Sequence, residues 1–269
     1  MISFPPCKIN LGLQVVSKRP DGYHNIETCF YPLPWTDILE IIPSDVFAFS
    51  SSGIVVPGKE EDNLCLKAYH LLKKDFNLKP VKIHLHKVIP MGAGLGGGSS
   101  NAAYVLRLLN TIFNLQLNND QLKQYASQLG SDCSFFIEDV PMIGTGRGEV
   151  LEKAAIDLKG KHILVVKPEV HVSTVEAYAG VKPSGLSNQI KDVVEKSPLT
   201  SWKRTLKNDF EDSVFKKYPL IREAKEKLYQ YGAVYASMSG SGSSVFGIFE
   251  KPVELKNQFP GMTCWSGEL

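Results

Sequence analysis

From position 7 to 16, apolar residues alternate with polar or small ones: Ile9, Leu11, Leu13 and Val15 fall on one side of an extended chain, Lys8, Asn10 and Gly12 on the other. That two-residue period predicts a strand with one face in the core and the other free to carry chemistry. A turn at Pro20-Asp21-Gly22 follows, and residues 26–33 and 38–42 read as short strands interrupted by prolines. Over 62–76 the apolar positions Leu64, Ala68, Leu71 and Leu72 move to helical spacing, whereas Val81, Ile83 and Leu85 alternate with Lys82, His84 and His86 in a further strand over 81–89.

A glycine-rich run at 91–100 leads into Ala102, Val105, Leu106, Leu109 and Ile112 at helical intervals, with Ser99, Ser100 or Asn101 as the expected cap. Another helix fits 119–129 and stops at Gly130, and a new strand begins at Ile163 after a polar stretch at 149–161. Pro219 opens a helix carrying Ile221, Ala224 and Leu228, and strands at 233–238 and 245–249 flank Ser239-Gly240-Ser241-Gly242-Ser243-Ser244. The pattern is α+β, with two lobes expected over 1–155 and 156–269.

Composition narrows the choice of partner. The 269 residues carry 30 Lys and Arg against 28 Asp and Glu, a net charge of +2, which offers no polybasic face to a nucleic-acid backbone. No apolar run approaches the ~20 residues that span a bilayer, so neither a nucleic acid nor a membrane is the expected partner, and the expected compartment is the cytoplasm. Cys7, Cys29, Cys65, Cys133 and Cys264 are odd in number and lack a C-x-x-C pair, as reduced, buried thiols would be. His84 and His86 share a strand face without a third ligand at recognisable spacing, so no metal held by protein side chains is expected.

The strongest chemical signal is Pro90-Met91-Gly92-Ala93-Gly94-Leu95-Gly96-Gly97-Gly98-Ser99-Ser100. Glycines let successive backbone N–H groups approach an anion, and the helix that follows adds the positive end of its dipole. A Walker loop is excluded, because Ser99 and Ser100 stand where that loop has lysine and a hydroxyl residue. Gly92-x-Gly94-x-x-Gly97 matches the dinucleotide fingerprint, but no acidic residue stands convincingly ~20 positions on, at the end of a second strand.

The run Pro90-x-x-x-Gly94-Leu95-Gly96-Gly97-Gly98-Ser99-Ser100-Asn101-Ala102-Ala103 resembles the ATP-phosphate motif of the galactokinase, homoserine, mevalonate and phosphomevalonate kinase superfamily. Pro6-Cys7-Lys8-Ile9-Asn10-Leu11 resembles its first motif and Met238-Ser239-Gly240-Ser241-Gly242-Ser243 its third, in the same order along the chain. Within the superfamily, Arg19-x-Asp21-Gly22-Tyr23-His24-x-Ile26-Glu27-Thr28 resembles the branch that phosphorylates a cytidine-diphosphate sugar alcohol in the non-mevalonate isoprenoid route. Leu129-Gly130-Ser131-Asp132-Cys133-Ser134 matches the stretch holding the catalytic aspartate, with Ser134 in the place of a proline, and Asn208-Asp209-Phe210-Glu211 matches a further patch.

The resemblance implies a two-lobed small-molecule kinase, with an N-terminal lobe like the second domain of ribosomal protein S5 and a ferredoxin-like C-terminal lobe. It implies that Asp132 accepts or orients the proton of the substrate hydroxyl, that Lys8 holds that hydroxyl and the transferring phosphoryl in register, and that Asn10 helps place the substrate. Tyr23 and Tyr178 would stack on cytosine and His24 would bind its edge. ATP would be held by Asp62, Asn63, Lys87, Pro90, Gly92, Gly94, Leu95, Gly96, Gly97, Gly98, Ser99 and Ser100, with Mg2+ arriving on the nucleotide. A sister kinase acting on homoserine or mevalonate, and a nucleotide-binding regulator without catalysis, are the alternatives.

Overall fold

The computed structural model describes residues 1–183, 185 and 189–269. By its internal contacts the chain groups into two compact units whose segments interleave: Met1–Cys7, Trp35–Met91 and Gly96–Val140 form one, and Lys8–Pro34, Gly92–Leu95 and Pro141–Leu269 the other.

In the first unit a four-stranded sheet is ordered Ile2–Ser3, Ile38–Pro43, Val81–Lys87 and Ala48–Gly53. The expected alternation is present: Leu39 pairs with Leu85 and Ile41 with Ile83 on the buried face, while Glu40 pairs with His84 on the other. The helices Leu64–Phe76, Gly97–Ile112 and Asn119–Leu129 pack on one another, and Gly97–Ile112 also packs on Ile38–Pro43. Leu72, Val105, Leu106 and Leu109 are fully buried there, which is what stabilises helices too short to persist alone.

In the second unit one sheet is ordered Pro6–Lys18, His24–Thr36, Met142–Thr145 and Val150–Lys153. The other is antiparallel, ordered Tyr235–Met238, Val245–Phe249, His162–Lys167 and Thr263–Glu268. Counted along the chain from His162, that order is 2-3-1-4, the strand order of a ferredoxin-like sheet, with helices after its first strand and only the short turn Lys256–Gln258 before its last. The core joins Leu13 and Val15 to Leu164, Val166, Phe210, Ile221 and Leu228, so the apolar face read at 7–16 is a core face.

Two local expectations are corrected. The strand expected at 26–33 runs from His24 to Thr36 through Pro32 and Pro34. Its pairing to Met142–Thr145 ends at Phe30, so the prolines lie where no ladder bond to that strand is lost. The helix after the glycine run starts at Gly97, with Gly96 as its cap at φ +70° and no side chain capping it; Ser99, Ser100 and Asn101 lie inside the helix. A glycine cap leaves the first-turn N–H groups without a side-chain competitor. By contrast, Asn119–Leu129 forms as expected behind Asn118, whose side chain accepts from the Gln121 N–H while Gln121 accepts from the Asn118 N–H.

That exposed capping box gives a clean test of local helix energetics. Asn118→Ala should lower stability by about 1 kcal/mol, read as a lower urea midpoint with an unchanged slope.

Candidate active site

The first-motif strand, the glycine run and the third-motif turn meet around one amine. Lys8 is 2% exposed, and its Nζ donates to Asn10 Oδ1 at 2.7 Å and to the Gly94 carbonyl at 3.1 Å. Asn10 is fixed in turn by donating to Thr28 Oγ1 at 2.9 Å, and Thr28 Oγ1 donates to the Gly12 carbonyl at 2.6 Å. The polar face of the strand is therefore not a solvated one; its lysine is packed, with the Phe30 ring 5.3 Å away, and held by fixed acceptors. Glycine at 94 is required twice over: its φ is +76°, and a Cβ there would lie 2.0 Å from the Ser239 carbonyl oxygen. The Ser239 hydroxyl donates to that same Gly94 carbonyl at 2.8 Å.

Tyr23, His24 and Tyr178, the residues expected to contact cytosine, also lie in the second unit. His24 and Tyr178 are stacked at 4.9 Å with an interplanar angle of 22°, and Tyr178 meets Phe210 edge-on at 4.8 Å. Tyr178 thus covers one face of His24. Tyr23 is 57% exposed, and the Arg147 guanidinium lies 5.1 Å from its ring centroid. Arg147 is itself placed by Glu149, which accepts from its backbone N–H at 2.5 Å and from its Nε at 3.3 Å. Burial, together with nearby Lys18, lowers the His24 pKa below the ordinary 6.5, which keeps the ring neutral at pH 7. A neutral ring offers one donor and one acceptor, the pattern a base edge needs.

In the first unit Lys87 is fully buried, and its ammonium is bound by Asp37. Asp37 also accepts from Val88 N at 2.7 Å, Ile89 N at 2.8 Å and Asn101 Nδ2 at 2.9 Å, so one carboxylate ties the end of a strand to the first turns of the helix that follows. Burial lowers the Lys87 pKa while Asp37 opposes the shift. A Cβ on Gly97 would come within 2.9 Å of Lys87 Nζ, so the ammonium lies directly beneath the helix start. Pro90 is buried and Gly92 exposed. Ser100 Oγ is buried in the first helical turn without a hydrogen-bond partner.

Asp132 follows Gly130 in a turn, half-buried, with the Ser131 hydroxyl 3.4 Å from Oδ1. Ser134 adopts φ −63°, the value a proline ring imposes, and its hydroxyl donates to the Lys123 carbonyl at 3.1 Å. The serine therefore keeps the backbone that a proline would give. Asp62 pairs with Lys67 at 3.1 Å. Asn63 caps the Leu64–Phe76 helix by accepting from Cys65 N at 2.9 Å.

Three participants escaped the sequence reading. Asp37 stands between two apolar strands with no turn signal, Arg147 lies in a glycine turn that reads as a loop, and Ser239 reads as part of a glycine motif, not as a donor to Gly94. His84 and His86 instead join Ser50 and Ser52 in hydrogen bonds of 2.8–3.0 Å on the sheet surface, and no group of three or more metal-binding side chains occurs among the described residues. Cys7, Cys29, Cys65 and Cys133 are buried thiols outside any disulfide, and Cys264, also outside one, is half-buried.

Comparison with known proteins decides between the branches. The family model for the GHMP kinase N-terminal domain matches residues 63–147 and that for the C-terminal domain residues 190–260. A 4-diphosphocytidyl-2-C-methyl-D-erythritol kinase of Cytophaga hutchinsonii is 55% identical over 94% of both chains, and one of Parabacteroides distasonis is 50% identical over 100% of both. This chain belongs to the 4-diphosphocytidyl-2-C-methyl-D-erythritol kinase family. A crystal structure of a 4-(cytidine 5'-diphospho)-2C-methyl-D-erythritol kinase superposes with a TM-score of 0.83 at 30% identity, covering 99% of this chain and 98% of the other. A homoserine kinase structure from Cytophaga hutchinsonii gives 0.67 at 14% identity, over 98% of this chain and 94% of the other, so the GHMP kinase fold is shared beyond the family. The α+β kinase fold expected from the three motifs is the fold observed.

The buried Asp37 cluster predicts an asymmetry for this family member. Asp37→Ala leaves an unpaired buried ammonium and three further orphaned donors, and should cost about 3–5 kcal/mol. Lys87→Met leaves the carboxylate with three donors and should cost clearly less; chemical denaturation of both variants checks the order.

Proposed function

We propose that the chain transfers the γ-phosphoryl group of ATP to the 2-hydroxyl of 4-diphosphocytidyl-2-C-methyl-D-erythritol, as a step of the non-mevalonate isoprenoid route. The observation that carries this reading is identity of 47–55% to curated kinases of that name over nearly the whole chain, joined to a buried Lys8 held by two fixed oxygens. In-line phosphoryl transfer asks for position and charge stabilisation and needs no covalent enzyme intermediate. A fixed ammonium and a carboxylate supply both.

In this reading Asp132 receives or orients the hydroxyl proton and Lys8 holds the nucleophile and the transferring phosphoryl in register, with Asn10 placing both the lysine and the substrate. The run from Pro90 to Ser100, including Gly92, Gly94, Leu95, Gly96, Gly97 and Gly98, cradles the phosphates by its backbone N–H groups, and its uncapped helix start favours that use. Asp62 and Asn63 belong to the nucleotide-base region. Lys87, its charge neutralised by Asp37, is assigned to the nucleotide site as the group that fixes the loop's entry strand beneath the helix start. The hydroxyls of Ser99 and Ser100 are the oxygen donors that would suit Mg2+ carried in with ATP, which would supply neutralisation of charge developing on the phosphates.

The cytidine diphosphate end anchors a polyol whose tertiary hydroxyl is a poor nucleophile, so that binding energy from a non-reacting part serves orientation. Tyr23 and Tyr178 provide aromatic surface, His24 the edge contacts and Arg147 a cation beside Tyr23. The division into a lobe at 1–155 with the phosphate loop and a lobe at 156–269 with the closing glycine motif is part of this proposal, and the two family models fall on either side of that boundary. No helix among the described residues is long and apolar enough to cross a membrane; the proposed location is the cytoplasm and the proposed partner a small molecule.

Release of ADP should be followed with the cytidine compound, homoserine and mevalonate in parallel. Turnover is expected with the cytidine compound alone, and Asp132→Asn should lower kcat by about 10²–10⁴-fold; equal turnover of a substrate without cytidine would refute the assignment. Tyr23→Ala should raise KM for the cytidine compound by roughly 5–150-fold, from loss of stacking worth about 1–3 kcal/mol, with little change in KM for ATP. Because the His24 pKa lies below 6.5, KM for the cytidine compound should be flat above that pH and rise on acidification below it. A His24→Gln variant should lose that rise.

A further inference from the structure

In the patch Asn208-Asp209-Phe210-Glu211, whose Phe210 packs against Tyr178, Asn208 has no part in the chemistry described above, yet it is fully buried and uses its whole side-chain amide. Nδ2 donates to the Met238 carbonyl at 2.8 Å and to the Gly240 carbonyl at 2.8 Å, while Oδ1 accepts from Phe210 N at 3.0 Å. The two carbonyls flank Ser239. The Ser239 hydroxyl lies 2.8 Å from the Gly94 carbonyl and 3.4 Å from Asn10 Oδ1, the same two oxygens that accept from Lys8 Nζ.

The patch also grips the strand that carries Lys8. Leu13 N donates to Lys207 O at 2.9 Å, Asp209 N to Leu13 O at 2.8 Å, and Val15 N to Asp209 Oδ2 at 2.8 Å. Glu211 Oε1 accepts from Met238 N at 2.8 Å. One short segment is therefore bonded to the lysine strand and to both sides of the turn that supports the lysine's acceptors.

We infer that Asn208 is a positioning residue for phosphoryl transfer, acting through the Ser239 turn to hold the Gly94 carbonyl and Asn10 side chain against the Lys8 ammonium. The inference rests on the reading of Lys8 as a catalytic group. An aspartate at 208 has the same shape but presents acceptors to two carbonyl oxygens, so it releases the turn while keeping volume. The bond from Phe210 N, behind the Tyr178 ring, finds the same acceptor oxygen in aspartate, so the loss belongs in kcat.

The test is a double-mutant cycle in steady-state kinetics on the full chain. Asn208→Asp is expected to lower kcat by about 10–100-fold with KM for both substrates within about twofold, Ser239→Ala to lower kcat in the same way, and the double variant to be no more than about threefold worse than the weaker single. Losses that multiply, a loss confined to KM, or full kcat in either single variant would overturn the inference. Should Asn208→Asp show no cooperative unfolding transition, Ser239→Ala decides alone: full kcat rejects the relay, and a kcat loss at constant KM that Ser239→Thr restores supports it. Lys8→Met separates this from the underlying reading. Undiminished turnover in that variant removes the catalytic role of Lys8, whereas an inactive Lys8→Met beside a multiplicative cycle rejects the relay alone.

Discussion

Burying an amine costs several kcal/mol unless fixed acceptors replace the water it loses, and the arrangement of the second unit follows from meeting that demand at Lys8. Its acceptors come from two places in the chain: Asn10, two residues on, and Gly94, within the glycine run. Each acceptor is itself held, Asn10 through Thr28 and Gly94 through Ser239. The first motif thus supplies Lys8 and Asn10, the glycine run Gly94, the third motif Ser239 and the block at 19–28 Thr28 to a single hydrogen-bonded set.

The glycine run serves two demands that pull on the backbone in different ways. At Gly94 the requirement is closeness, since any Cβ would collide with the Ser239 carbonyl. At Gly96 it is a left-handed cap that leaves helical N–H groups without side-chain partners, a favourable place for an anion. Beneath that helix start, Asp37 and Lys87 hold the strand end and the helix together by a buried ion pair and three further hydrogen bonds. The homoserine kinase fold is the same at 14% identity, so the scaffold alone does not choose a substrate; the proposal assigns that choice to the Tyr23-His24 block, which is partly exposed.

Elements with a periodic trace were legible in the sequence. The strand of Lys8 and the helices at Leu64–Phe76, Asn119–Leu129 and Pro219–Gln230 were readable because burial on one face imposes a period, and caps and prolines mark ends. The motifs were readable because glycine and serine in that density have few structural uses. Asp37, Arg147 and the role of Asn208 were not, since each acts by side-chain contacts between segments far apart in sequence, which leave no local pattern. The start of the helix at Gly97 was misjudged for a related reason: serines in the first turn look like caps, but the left-handed glycine before them already ends the loop. The passage of His24–Thr36 through two prolines depended on where its neighbouring strand stops, a fact of pairing and not of propensity.

The central claim is that a fixed lysine and a carboxylate move a phosphoryl group onto a cytidine-anchored alcohol, and phosphorus NMR of the reaction mixture addresses it most directly. The account predicts a new phosphomonoester resonance in a product that keeps its diphosphate resonances, formed one for one with ADP. Release of inorganic phosphate without that resonance, or loss of the cytidine diphosphate signals, would contradict it.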